Sequence, residues 1–165
     1  MMKYAFLIVI GLVFWSCFNE GDCLVTATNN MYVQFKRTSD HTLDTALAVD
    51  SILISGASRT GYWKLPHDTL ITGIVLPVDI NNNTTTFIIH RKSIVDTTVT
   101  ATDTLQVGYR GQSRVISRDC GAFMYYSDLK ILKTNIDSVR IKKLSTSLVK
   151  DPTSSAYAVN YQIFY

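Results

Sequence analysis

The last nine residues, Tyr157-Ala158-Val159-Asn160-Tyr161-Gln162-Ile163-Phe164-Tyr165, place a large apolar side chain at every second position. This period of two is what a half-buried β-strand requires, because successive side chains of a strand point to opposite faces of its sheet. A domain that ends on such a strand usually pairs it inside a sheet. The C-terminal stretch therefore predicts a strand that belongs to the core of the fold.

The rest of the chain shows the same alternation, which recurs at residues 31–36, 104–109 and 139–142. The composition agrees, since the 19 Thr, 14 Val and 15 Ile are β-branched residues that favour a pleated surface. Only the stretch from Leu43 to Ile54 has a spacing that also fits a helix, and its second half favours a strand.

Turn residues divide these runs. Arg110-Gly111-Gln112 is typical of a hairpin turn, and Asn81-Asn82-Asn83 is typical of a loop tip. Alternation and turns together predict an all-β fold, a single antiparallel, immunoglobulin-like β-sandwich of about seven to nine strands. A chain of 165 residues, 47% of them hydrophobic, has the length and the apolar content for one such domain.

The N-terminus differs in character from this body. Residues 1–16 contain Lys3, an apolar run from Tyr4 to Trp15 and then Ser16, which is the composition of a secretory signal peptide. The run is shorter than a membrane-spanning helix, which needs roughly 20 apolar residues. We therefore predict an exported protein. The formal net charge of +3 is too weak to favour nucleic acid as a partner.

Cys17 follows this leader and resembles the lipobox cysteine of bacterial lipoproteins, which is acylated and becomes the new N-terminus. Residues 17–22 would then be a lipidated tether, and residues 23–165 the β-sandwich domain. Several acyl chains would anchor the protein to a membrane. The expected location is the cell envelope, as an outer-membrane lipoprotein that faces the periplasm or the cell surface. The alternative is that Cys17 is an ordinary thiol and that cleavage falls elsewhere.

The two remaining cysteines, Cys23 and Cys120, form an even pair, which in an exported protein is first interpreted as a disulfide. Closing so long a loop would stabilise the fold by roughly 4–5 kcal/mol in the chain-entropy account. The alternative is two buried free thiols. A metal site is not predicted, because the chain has no Cys-x-x-Cys and its three His are far apart. No cofactor is predicted.

A tripeptide of Asp, then Ser or Thr, then a small or apolar residue or Thr, occurs six times. One interpretation is structural, with Asp ending a turn and a β-branched residue opening the next strand. The other is that the tripeptide matches the O-glycosylation acceptor of Bacteroides-type envelope proteins. Both can hold together. The candidate acceptors are Thr45, Ser51, Thr69, Thr97, Thr104 and Ser138.

The sequence contains no nucleophile–base set, paired carboxylates or phosphate loop, so no catalytic residue is predicted. Two weaker features could bind a partner. Arg140, Lys142 and Lys143 could contact anionic headgroups or an acidic polysaccharide, or they could simply protect an edge strand. Tyr62 and Trp63 could stack on sugar rings, or they could belong to the core.

The sequence resembles one group of uncharacterised Bacteroidota envelope lipoproteins in four features. These are a leader that ends in Ser-Cys, a Cys soon after it, a late Asp119-Cys120-Gly121 and an aromatic-rich last strand. The resemblance implies an envelope domain and the pairing of Cys23 with Cys120. It implies no activity, because that group is a domain of unknown function. The expected function is a lipid-anchored, non-enzymatic structural or interaction component, with an envelope protein or a glycan as partner. The alternative is a carbohydrate-binding module.

Overall fold

The computed structural model describes residues 23, 25–55, 61–64, 70–92, 99–151, 154 and 156–165. These residues form two β-sheets, which confirms the predicted all-β sandwich. One 3-10 turn, Ser138–Arg140, is the only helical element among them. The strands are β1 (Asn30–Lys36), β2 (Leu47–Ser55), β3 (Gly61–Lys64), β4 (Leu70–Ile71), β5 (Gly73–Pro77), β6 (Thr84–Lys92), β7 (Val99–Ser117), β8 (Gly121–Thr134), β9 (Ile141–Lys143) and β10 (Val159–Phe164).

The smaller sheet has the strand order β5-β1-β10-β9. The predicted last strand is β10, and it lies in the interior of this sheet, between β1 and β9. Its pairing with β1 is parallel, a departure from the antiparallel arrangement that the other strand pairs of the described residues follow. Tyr161 and Ile163 of β10 are fully buried, as the alternation predicts, but Asn160 and Phe164 on the opposite face are buried as well, so the expectation of a half-buried strand is wrong.

The larger sheet has the order β3-β2-β6-β7-β8, with β4 paired to the start of β2. Its inner face packs on the smaller sheet, because one hydrophobic cluster contains side chains from both, such as Phe35 and Ile163 from one and Ile52, Phe87 and Leu105 from the other. The ambiguous stretch before Ile54 is a strand from Leu47 onward. The loop tip at residues 81–83 is confirmed as a bend between β5 and β6.

The hairpin turn predicted at Arg110-Gly111-Gln112 is wrong, because β7 continues through these residues to Ser117. Gly111 lies opposite Tyr126 in the register of β7 and β8. A Cβ at position 111 would stand 3.4 Å from Cε1 of Tyr126. A side chain at this position would thus contact the cross-strand ring without a clash, and Gly111 continues the strand instead of reversing the chain. The reversal comes at residues 118–120, followed by Gly121 at φ 74°, a conformation that suits glycine.

Tyr161, which is fully buried, and Tyr165, which is partly buried, differ in whether the hydroxyl group has a hydrogen-bond partner. Among the described residues none offers a hydrogen-bond partner to the Tyr161 hydroxyl, and burial raises the pKa of Tyr161 to about 12. The Tyr165 hydroxyl instead donates to Oδ2 of Asp103 at 2.6 Å. Burial, and then this carboxylate, raise the pKa of Tyr165 well above its ordinary value.

We expect Phe substitutions at these two positions to change stability in opposite directions. Tyr161→Phe should leave the free energy of unfolding unchanged or raise it by up to about 1 kcal/mol, because an unpartnered buried hydroxyl is removed. Tyr165→Phe should lower it by about 2 kcal/mol, because a hydrogen bond to a charged group is lost. Urea unfolding of both variants at neutral pH measures the difference.

The dependence of stability on alkaline pH tests the account of Tyr161 a second time. Tyr161 ionises near 10.0 when unfolded and near 12 when folded, so its protonated form is the one that the fold favours. Stability should therefore fall as the pH rises across that interval, and less steeply in Tyr161→Phe. Equal alkaline slopes for parent and variant would contradict the account given for Tyr161.

Candidate interaction surface

The most distinctive surface is the outer half of the β7–β8 hairpin, residues 110–127, which we call the arm. Strand β6 accompanies β7 only as far as Gly108, which pairs with Thr84. Beyond that point the two long strands have no other pairing partner within the described part of the chain, and every residue from 110 to 119 is exposed. Eight residues of strand at about 3.4 Å each make the arm about 27 Å long.

The base of the arm is fixed by a buried polar cluster. The Tyr109 hydroxyl donates to the main-chain oxygen of Asp79 at 2.6 Å and lies 2.7 Å from Oγ1 of Thr85. That Oγ1 accepts from the main-chain N–H of Asp79. Tyr126 packs edge-on against Tyr109, with 5.7 Å between ring centroids. Groups that satisfy one another in this way hold a segment rigidly, so the arm leaves the sandwich in a defined direction.

A bulge in β8 marks the same place. Between the pairs Gly108–Lys130 and Arg110–Ser127 the register shifts, and Asp128 adopts φ 57°, a left-handed conformation that Asp tolerates better than most residues. Bulges bend a strand and change the direction in which it points. The direction of the arm relative to the regular sheet is therefore fixed by this bulge as well as by the packing at its base.

The two faces of the arm differ in chemistry, since cross-strand partners share a face. Val115 lies opposite Ala122, and Ser113 opposite Met124, so one face is largely apolar. On the other face Arg114 pairs with Phe123, and the Arg114 guanidinium lies 5.4 Å from the Tyr125 ring centroid, close enough for a cation–π contact.

The exposure of the apolar side chains is unusually high for their type. Val115 is 78% exposed, Met124 45% and Ile116 40%. The arm also contains three arginines, at 110, 114 and 118, against one acid, Asp119. An exposed surface that combines apolar tips with an excess of arginine is typical of a contact surface.

The tip of the arm is covalently joined to the beginning of the described chain. Cys120, in the turn, forms a disulfide with Cys23, with 5.7 Å between their Cα atoms and a sequence separation of 97. The predicted disulfide is therefore present in the structure. The main-chain N–H of Cys120 donates to Oγ of Ser117, which closes the turn around the bridged residue.

From Cys23 the chain runs back to the sandwich. Ala27 forms an isolated bridge with Val149, and the main-chain oxygen of Asn29 accepts from Val78. Residues 27–29 and Ile80 line a groove of ≈ 370 Å³ together with Phe123, Met124 and Tyr126 of the arm. The N-terminal segment therefore starts at the arm tip and enters the sandwich near the arm base.

The three predicted basic residues lie on a different part of the molecule. Arg140 ends the 3-10 turn, while Lys142 and Lys143 belong to β9, the edge strand of the smaller sheet. All three are exposed. Lys142 pairs in register with Gln162, and Lys143 with Tyr161. Positive charges on an edge strand disfavour pairing with a further strand, so this position fits the protective interpretation, and binding by these residues stays a prediction.

The predicted aromatic pair, Tyr62 and Trp63, lies on β3, in register with Leu53 and Ile52 of β2. Their side chains fall outside the described part of the structure. The stacking of sugars on Trp63 therefore stays a prediction.

The six tripeptides do not share one structural role. Asp50-Ser51 lies inside β2 and Asp103-Thr104 inside β7, so the expectation that these Asp residues end turns is wrong. Ser51 is buried, Thr45 and Thr104 are half-buried and Ser138 is exposed, whereas Thr69 and Thr97 lie outside the described residues. A glycan needs an accessible hydroxyl, so Ser138 is the most accessible of the four described candidates.

Asp103 has a role that sequence reasoning missed. Its carboxylate accepts from Nε of Arg91 at 2.6 Å and from the Tyr165 hydroxyl at 2.6 Å. The Arg91 guanidinium also lies 4.7 Å from the Tyr165 ring centroid. The cluster ties β6 and β7 of the larger sheet to the C-terminal residue. The sequence does contain a signal for this role: Asp103 is a charged residue at a position where the alternation of β7 places a buried side chain.

Some predictions concern residues that the structure does not describe: the leader at residues 1–16, lipidation at Cys17 and the tether at residues 17–22. Over the described residues, no helix is long and apolar enough to span a bilayer. In the same part of the chain, no group of three or more His, Cys, Asp or Glu side chains is arranged to hold a metal ion.

Comparison with known proteins gives one match. No curated protein and no solved structure matches the chain. The model of one protein family matches residues 45–158, a range that begins just before β2 and includes the whole arm, Cys120 and the basic edge strand. Because that match covers well over half of the sequence, the chain belongs to DUF6452, a family of unknown function.

Proposed function

We propose that this protein is a non-enzymatic component of the cell envelope, exported and held to a membrane by lipid on Cys17, which displays its β-sandwich to an envelope protein or a glycan. The observation that carries the proposal is the disulfide between Cys23 and Cys120. Disulfides persist in oxidising compartments outside the cytosol, and the leader sequence suits export to such a compartment.

The polar groups of each buried cluster bond to one another and hold strands together, which supports a non-enzymatic role. Asp103 is engaged by Arg91 and Tyr165, and Tyr109 by Asp79 and Thr85. In both clusters the polar groups bond to one another inside the fold. Such clusters fix strands relative to each other and leave the exposed arm as the surface available to a partner.

Intact mass and peptide mapping of the protein from its native membrane fraction test the proposal. We expect a chain that begins at Cys17, carries acyl groups and lacks two hydrogens because of the Cys23–Cys120 bridge. The matched control is Cys17→Ala, which should move the protein to the soluble fraction while the bridge remains. An unmodified chain with another N-terminus, recovered in the soluble fraction, would contradict the proposal.

A further inference from the structure

We infer that the arm tip rests on the headgroup layer of the membrane to which the chain is anchored, and that the tip is a phospholipid-binding surface built from Val115, Ile116, Arg114 and Arg118. The inference rests on the proposed lipid anchor at Cys17. It goes beyond that anchor because it assigns a second membrane contact to the folded domain and fixes which end of the domain faces the bilayer.

The length of the tether restricts the position of the tip. Cys23 is six positions after Cys17 in the sequence, and a fully extended chain spans at most about 3.4 Å per residue, or about 20 Å in all. Cys23 is joined to Cys120 in the turn of the arm. The disulfide therefore keeps the tip close to the bilayer surface, whereas the base of the arm lies about 27 Å farther along the hairpin.

The side chains at the tip suit that position. Val115 and Ile116, 78% and 40% exposed, are adjacent apolar residues, and burial in the acyl boundary would remove their surface from water. Arg114 and Arg118 flank them. Guanidinium groups bind phosphate in a bidentate manner, and phosphate is present in every phospholipid headgroup. Phe123 and Tyr125, on the same face as Arg114, are aromatic residues of the kind found at membrane interfaces.

A weak contact is sufficient in this arrangement. The anchor holds the tip near the surface at a high effective concentration, so binding of the tip is an intramolecular step. The defined exit of the arm from the sandwich, through Tyr109, Tyr126 and the bulge at Asp128, then fixes the tilt of the sandwich above the membrane. Without the tip contact, the anchor would limit only the distance of the domain from the membrane and not its orientation.

Tryptophan quenching in proteoliposomes tests the inference with the full acylated protein. We would prepare Val115→Trp and reconstitute it in vesicles of phosphatidylethanolamine and phosphatidylglycerol, with or without brominated acyl chains. The matched control is Leu70→Trp, 53% exposed on β4, at the end of the larger sheet opposite to the arm. The signal of native Trp63 is subtracted by means of the parent protein.

We expect brominated lipid to quench the added tryptophan of Val115→Trp at least twofold more strongly than that of Leu70→Trp. A charge reversal, Arg114→Glu with Arg118→Glu, should abolish the difference, whereas Arg140→Glu with Lys142→Glu should preserve it. Equal quenching at the two positions would overturn the inference. An emission change that is the same with and without brominated lipid would also overturn it, because contact with a second copy of the protein would give that result.

The mass of each reconstituted sample separates the two proposals. If Cys17 carries acyl groups and Val115→Trp is not quenched, the tip contact is wrong and the anchor stands. If Cys17 is unmodified, the anchor and the tip contact are both wrong.

Discussion

A chain that lacks its last nine residues, Tyr157–Tyr165, will not fold to a cooperative structure. The truncation removes β10, which lies between β1 and β9 in the smaller sheet, and with it Tyr161 and Ile163, both fully buried. Without β10, the main-chain groups of β1 and β9 that pair with it lose their partners, and unpaired main-chain groups are costly when buried. Circular dichroism and urea unfolding of the refolded product test this result.

Two point variants test how much individual side chains of β10 contribute to stability. Ile163→Ala should lower the free energy of unfolding by about 2–5 kcal/mol, because it opens a cavity in the core. Gln162→Ala, on the adjacent residue of β10, should cost no more than about 1 kcal/mol, since it removes one partly buried hydrogen bond to Gln34. A soluble truncated chain with a sharp unfolding transition would show that the smaller sheet forms without its inner strand.

Asp103→Ala is expected to lower the free energy of unfolding by about 3 kcal/mol, because it removes one partner of a largely buried ion pair. The change leaves the Arg91 guanidinium, with a side chain 25% exposed, without its carboxylate. It also removes the acceptor of the Tyr165 hydroxyl. Urea unfolding at neutral pH gives the free-energy difference.

The control for Asp103→Ala is Asp44→Ala. The Asp44 carboxylate lies 2.6 Å from Nζ of Lys36 and is 45% exposed, whereas that of Asp103, at 2.6 Å from Nε of Arg91, is 10% exposed. Solvent screening should reduce the loss in Asp44→Ala to about 1 kcal/mol or less. Equal losses in the two variants would mean that burial is not what distinguishes the Asp103 cluster.

The fold class could be predicted because alternation is a local property. Residues 157–165 and 104–109 show it without any knowledge of their neighbours, and both are strands with buried apolar faces. Pairing is not local. Nothing in the sequence of β10 indicates that it pairs in parallel with β1, which lies more than a hundred residues earlier, because parallel and antiparallel neighbours require the same alternation of side chains.

The candidate surface was predicted only in part, for a related reason. Gly111 was interpreted as a turn because glycine is common in turns, but it lies inside β7, where its cross-strand partner Tyr126 is fifteen residues away in sequence. That error divided one long hairpin into shorter strands and hid the arm. Cys23 and Cys120 could be paired once Cys17 was assigned to the expected lipid anchor, but the sequence does not reveal that the bridge lies at the end of a projecting hairpin.

The position of β10 also determines when folding can finish. The ribosome makes β10 after the other nine described strands, yet β10 must enter between β1 and β9. Until it arrives, β1 lacks one of its two neighbours and cannot close the sheet. Contacts between segments far apart in sequence form slowly, so the smaller sheet stays incomplete until β10 has been synthesised and has inserted. A chain in that state can still cross a membrane before it folds, as the proposed export requires.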